Sequence, residues 1–136
     1  MTKLHPPSPP PSAQVPAGEL SLRTMAMPAD TNQNGDIFGG WLLSQMDIAG
    51  GILAAKVTRG RVATVAVDAM TFRKPVFVGD VVSVYVDVIR VGTTSVQTGI
   101  EAWVLRRGES DAILVTEGRF TYVSIDLDGR PVPIAR

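Results

Sequence analysis

Val82, Val84, Val86 and Val88 recur at every second position of the segment Val81 to Val91, the period of a strand with one buried face. Thr94 to Arg106 repeats the pattern, with Val96, Ile100, Ala102 and Val104 on one side and Gln97 and Glu101 on the other. Gly92-Thr93 between the two segments is short enough for a hairpin. Arg61 to Phe72 is long and β-branched, and Ile113 to Ser124 predicts a further strand after the polar turn Arg107 to Ser110. Leu20 to Met27 is a shorter candidate, closed by Pro28.

Between Ile37 and Ala55 the alternation stops, and IFGGWLLSQMDIAGGILAA is apolar almost throughout. A run that continues to Lys56 is too long for a strand, so it predicts a helix entering near Phe38 to Trp41. Asn34, Gly35 and Asp36 supply turn and cap residues before it. Trp41, Gln45, Ile48 and Ile52 follow helical spacing, and so do Leu42, Met46, Ala49 and Leu53. Such a helix is expected to be covered on most sides. Interior glycine costs a helix about 1 kcal/mol, so Gly39, Gly40, Gly50 and Gly51 point to close approach of another backbone or a ligand, with packing the simpler reading of Gly50 and Gly51. The run also reaches the length of a membrane span, about 18 residues. Four glycines, Gln45 and a central Asp47 oppose insertion, and a buried helix is the better reading.

One strand, one long buried helix and four strands on short turns imply an α+β protein, a five-stranded antiparallel sheet wrapped around a central helix. Such a sheet leaves open edges, so pairing of subunits is expected. At 136 residues the chain fits one domain. Residues 1–18 contain LHPPSPPPSAQVPAG and are expected to form a disordered proline-rich leader; residues 19–125 form the domain and 126–136 a C-terminal tail. No continuous hydrophobic region follows Lys3, so the leader does not read as a signal peptide, and the expectation is a cytoplasmic protein. Zero formal net charge argues against a nucleic-acid partner held by the overall field.

The composition narrows the chemistry. There is no cysteine, and the one histidine, His5, lies in the leader. Thiol nucleophiles, histidine triads and histidine-based metal sites are therefore absent from the expected domain. Asp47 is the only charged residue from Ile37 to Ala55. Taking an ionised carboxylate out of water costs several kcal/mol unless partners are supplied, so Asp47 must be paired, protonated or used.

The string LRTMAMPADTNQNGDIFGGWLLSQMD, Leu22 to Asp47, resembles the signature of YciA-type acyl-CoA thioesterases of the hotdog fold. VATVAVDAMTFRKPVFVGD, Val62 to Asp80, and VGTTS, Val91 to Ser95, continue the resemblance in register, and it covers about Leu20 to Ser124. It rests on the joint spacing of Asn32, Gly39-Gly40, Asp47, Phe72 and Gly79-Asp80. The resemblance implies hydrolysis of acyl thioesters of coenzyme A to free acid and CoASH, without a further cofactor. It also implies hotdog homodimers, commonly trimers of dimers, in which Asp47 of one subunit works opposite Asn32 of the other.

Residue chemistry is compatible with these roles. Thioester hydrolysis needs a positioned water, a base and donors for the developing oxyanion. Asp47 can be the base, or can attack the thioester directly to give an anhydride. Gly39 and Gly40 near the helix start can offer backbone N–H groups at the positive end of the helix dipole, and the Asn32 amide can orient water or carbonyl. Arg73 and Lys74 resemble the family's phosphate-facing cation, with Arg59 and Arg61 as weaker candidates, and Thr93, Thr94 and Ser95 resemble its turn against the CoA arm.

Simpler readings stand beside these. Asp36 reads as a helix cap, Asp80 as a turn residue, Asp68 and Glu101 as solvent-facing or cross-strand paired, Trp41 and Trp103 as core or interface, and Arg106 and Arg107 as a solvated turn. A hotdog module that binds acyl-CoA without turning it over is the alternative function, although it leaves the isolated carboxylate of Asp47 unexplained.

Overall fold

The inward valines of Val81–Val91 line the concave side of a curved sheet that holds one long helix. The computed structural model describes residues 15–135; most of the expected leader, His5 included, lies outside them. In chain order the elements are β1 (Glu19–Met25), a 3-10 turn (Pro28–Asp30), α1 (Gly39–Thr58), β2 (Arg61–Phe72), β3 (Val81–Val91), β4 (Ser95–Leu105) and β5 (Ile113–Ile125). All pairings are antiparallel, in the order β1-β3-β4-β5-β2. This is the sheet wrapped around one helix that the pattern predicts, a hotdog fold.

Alternation sets the register. Val82, Val84 and Val86 of β3 lie across from Val104, Ala102 and Ile100 of β4, and all six are buried. Leu42, Met46, Ala49 and Leu53 supply the helix side of the same core. Gly50 explains how close the two layers come: a Cβ there would fall on the Tyr122 hydroxyl of β5, whereas one at Gly51 would come no nearer than 3.8 Å to its ring.

The covering of α1 is one-sided, contrary to expectation. Ile48 is 51% exposed and Ile52 47%, because β2 is the end strand of the sheet among the described residues. Val65 and Val67 of β2 are 57% and 40% exposed. The strand is irregular, with register shifts between Thr64 and Ala66 and between Asp68 and Thr71, and Ala69 at a φ of 50°. An apolar helix face beside an apolar, unpaired strand edge is a surface that calls for another chain.

Two local expectations are corrected. The helix cap is Phe38, in extended conformation and without a side-chain cap. Asp36 instead serves the preceding loop, its carbonyl accepting from the Asn32 N–H at 2.7 Å. Arg106 is not solvated like Arg107: its guanidinium lies 4.8 Å from the Phe77 ring centroid and donates to the Pro75 carbonyl at 2.7 Å. Its Nε is 3.5 Å from Asp80 Oδ2, and Asp80, as a turn residue, accepts from the Phe77 N–H at 2.9 Å. After β5 the chain folds back, with the Ile134 N–H donating to the Thr93 carbonyl at 2.8 Å and the Ile134 side chain in the core.

Gly50→Ala is expected to destabilise the protein by about 1–3 kcal/mol, the usual result of overpacking. Gly51→Ala should be neutral or stabilising by up to about 1 kcal/mol, through helix propensity. Urea unfolding midpoints of the two variants check this.

Candidate active site

Asp47 sits half-buried in the middle of α1, facing the inner side of β2 and β5. Its Oδ1 accepts from Thr64 Oγ1 of β2 at 2.7 Å and from the Tyr122 hydroxyl of β5 at 3.1 Å. The same hydroxyl is 3.0 Å from the Asp47 backbone carbonyl. Oδ2 has no partner among the described residues. The penalty for a carboxylate in an apolar run is thus met by donors from two strands, all on one oxygen. Thr64 and Tyr122 are paired across β2 and β5, and neither stands out in the sequence. The shift after Thr64 hides the inward alternation that would have marked it.

Burial, followed by the charge of Asp47 and the hydrogen bond to it, raises the Tyr122 phenol well above its ordinary range. Tyr122 therefore remains a donor at any pH near neutrality.

The start of α1 presents a different resource. Trp41 and Leu42 N–H groups turn to the Phe38 carbonyl, while those of Gly39 and Gly40 have no acceptor among the described residues, as expected of a helix N-terminus. Beside them is a cavity of about 320 Å³, lined among others by Phe38, Gly39, Leu42, Phe72, Arg73 and Lys74. Arg73 forms an exposed ion pair with Glu117 at 2.8 Å, which raises its guanidinium pKa through that hydrogen bond and the adjacent charge. Lys74 has no ion pair among the described residues. The fold thus brings Gly39, Arg73 and Lys74 around one space.

The other candidates lie apart. Asn32 Oδ1 accepts from the Asn34 and Asp36 N–H groups at 2.9 and 3.2 Å, an arrangement that fixes which amide atom is oxygen. Its NH₂ has no partner among the described residues. Thr93 and Ser95 border a second cavity of about 310 Å³ together with Arg90, Gln97 and Thr121, and the Thr94 carbonyl accepts from the Ser124 N–H at 2.7 Å. The two cavities share no lining residue. Among the described residues no cluster of His, Cys, Asp or Glu can hold a metal ion, and no helix is long and apolar enough to cross a membrane.

Asp47 and the glycine amides belong to one helix, yet they cannot meet. At about 1.5 Å of rise per residue, Gly40 and Asp47 stand about 10 Å apart along the axis, too far to act on one carbonyl carbon.

A model of the thioesterase superfamily matches residues 34–110. The acyl-CoA thioester hydrolase YciA of Salmonella typhimurium is 56% identical over 124 residues, which cover 88% of this chain and 92% of that protein. The hexameric thioesterase y2039 from Yersinia pestis superposes with a TM-score of 0.85 at 54% identity, over 90% of this chain and all of that one, 100%. The hexameric broad-specificity acyl-coenzyme A thioesterase HI0827 gives a TM-score of 0.88 at 46% identity, over 93% and 87% of the two chains. HI0827 has also been solved with one aspartate replaced by alanine.

The raised Tyr122 phenol has a consequence for stability. Unfolded chains release this proton near the ordinary value of 10.0 while the folded protein keeps it. The contribution is complete below that value and falls away as pH rises beyond it, by about 1.4 kcal/mol per pH unit. The urea midpoint of the native protein should therefore drop more steeply above pH 10 than that of Tyr122→Phe.

Proposed function

From the premise that this chain belongs to the thioesterase superfamily, we infer that it is an acyl-CoA thioester hydrolase whose active site combines Asp47 of one subunit with Asn32, Gly39 and Gly40 of another. The observation that carries the assignment is the isolated carboxylate of Asp47, one oxygen held by two hydroxyls and the other open. A pure binding module gains nothing from it.

In this reading Asp47 Oδ2 takes a proton from a water as the water oxygen bonds to the thioester carbon. The carbonyl oxygen becomes an oxyanion and is met by the Gly39 and Gly40 N–H groups at a helix N-terminus. The Asn32 NH₂ is a further donor, its own oxygen being spent on the loop. Collapse breaks the carbon–sulfur bond, and the proton on Asp47 passes to the departing CoA sulfur, leaving acid and thiol. Thr64 holds the carboxylate in place.

Lys74 and Arg73 line the same cavity as Gly39 and suit the CoA phosphates, Arg73 by exchanging Glu117 for phosphate. Thr93, Thr94 and Ser95 offer hydroxyls and backbone groups to another part of the CoA arm, and the cavity bordered by Thr93 and Ser95, which shares no lining residue with the one at the helix start, suits an elongated ligand. Exposed Ile48, Ile52, Val65 and Val67 are the surface on which a second copy completes the site, and the hexameric relatives support assembly as a trimer of dimers.

Release of free thiol from a panel of acyl-CoAs tests the reading. The native protein should turn over at least one chain length, and Asp47→Ala should lose about a hundredfold to ten-thousandfold in kcat, the range for a general base. CoA binding without release from any thioester would make the protein a sensor, and unchanged turnover in Asp47→Ala would remove the carboxylate from the mechanism. Oxygen-18 from labelled water appearing in Asp47 during a single turnover would replace the general base with a nucleophile.

A further inference from the structure

We propose that Tyr122 is a positioning residue for the reaction: it fixes the Asp47 carboxylate so that Oδ2 alone is presented to the water. This rests on the hydrolase reading above. The Tyr122 side chain comes up from β5 and is 1% exposed. Its hydroxyl reaches α1 only because position 50 carries no side chain; a Cβ on Gly50 would occupy the hydroxyl's place. A glycine inside a helix costs about 1 kcal/mol, and here the contact it permits is with the carboxylate of the turn below.

The hydroxyl lies between two oxygens of the same residue, the Asp47 carbonyl at 3.0 Å and Oδ1 at 3.1 Å. Contact with the carbonyl ties Tyr122 to the helix backbone, and contact with Oδ1 fixes the side-chain torsion. Thr64 Oγ1 reaches the same Oδ1 at 2.7 Å, from an exposed position on the edge strand. Among the described residues two donors converge on Oδ1 and none on Oδ2, so the carboxylate is asymmetric before substrate arrives, with the free oxygen chosen by its neighbours.

Other charges do not compete for this role. No ion pair reaches Asp47 among the described residues. Arg61 of β2 donates to the Asp126 carbonyl, Asp68 lies in register with Arg119, and Lys56, the other charged residue of α1, is paired with Glu19 at 4.0 Å. The phenol stays protonated because burial and Asp47 both hold its proton, so it donates across the working range of the enzyme.

Tyr122→Phe removes one donor and keeps the ring. It is expected to lower kcat about tenfold to hundredfold, the usual loss of a hydrogen bond to a charged group, with KM within about twofold. The acid limb of the kcat/KM profile should move to higher pH, since a carboxylate that loses a donor holds its proton more readily. The second measurement preserves the fold: 3-fluorotyrosine incorporated in a Tyr85→Phe background labels position 122 alone, Tyr85 being the other of the chain's 2 tyrosines. A more acidic phenol is a stronger donor, so the acid limb should move to lower pH. If Tyr122→Phe does not fold, the direction of that shift decides alone. Native kcat and an unmoved limb in both proteins would overturn the proposal, and so would a loss of activity with neither limb displaced, the mark of a structural role. CoA binding by the native protein without thiol release from any thioester would instead overturn the hydrolase reading on which it stands.

Discussion

A helix advances about 1.5 Å per residue, and that fixed rise governs this protein. The two groups of the proposed site, the amides of Gly39 and Gly40, unpaired among the described residues, and the carboxylate of Asp47, lie on the single rigid element Gly39–Thr58, and no adjustment of side chains brings them together. In the proposed reading each chain therefore carries halves of two sites rather than one whole site. The open strand edge and the exposed Ile48 and Ile52, costly in an isolated chain, are what the proposed division would require.

The sheet keeps those halves in place. Its inner valines and Ile100 grip one side of the helix, and Gly50 lets the layers close until Tyr122 touches the turn that bears Asp47. On the neighbouring strand the register shifts just after Thr64, whose hydroxyl bonds Oδ1. Packing and chemistry are thus coupled at one point: the contacts that set the helix at its depth also satisfy half of a carboxylate and leave the other half free.

Much of this was legible in the residue pattern because it depends on period and composition. Val82 to Val88 could only be one face of a strand, the run from Ile37 to Ala55 could only be a helix, and Asp47 within it demanded a reason. What the pattern hid depends on contacts between distant segments. Thr64 precedes a break in alternation, and Tyr122 reads as one more core aromatic until the helix is set against it. The one-sided cover of the helix was missed because apolar residues all round it imply burial without saying by which chain. Asp36 and Arg106 depart from the pattern for a related reason: an aspartate just before a helix reads as its cap, and a charged pair reads as a solvated turn, until Asn32 and Phe77 fold beside them.

Subunit complementation tests the shared site most directly. Asp47→Ala removes the carboxylate, and Asn32→Asp keeps the loop's acceptor while removing the amide donor, so each variant alone should be nearly inactive. Random re-pairing makes half of the dimers mixed, each with one intact site of two, so the shuffled mixture should recover about a quarter of native activity per subunit. A mixture no more active than its separate components, with exchange of subunits demonstrated, would contradict a site divided between chains.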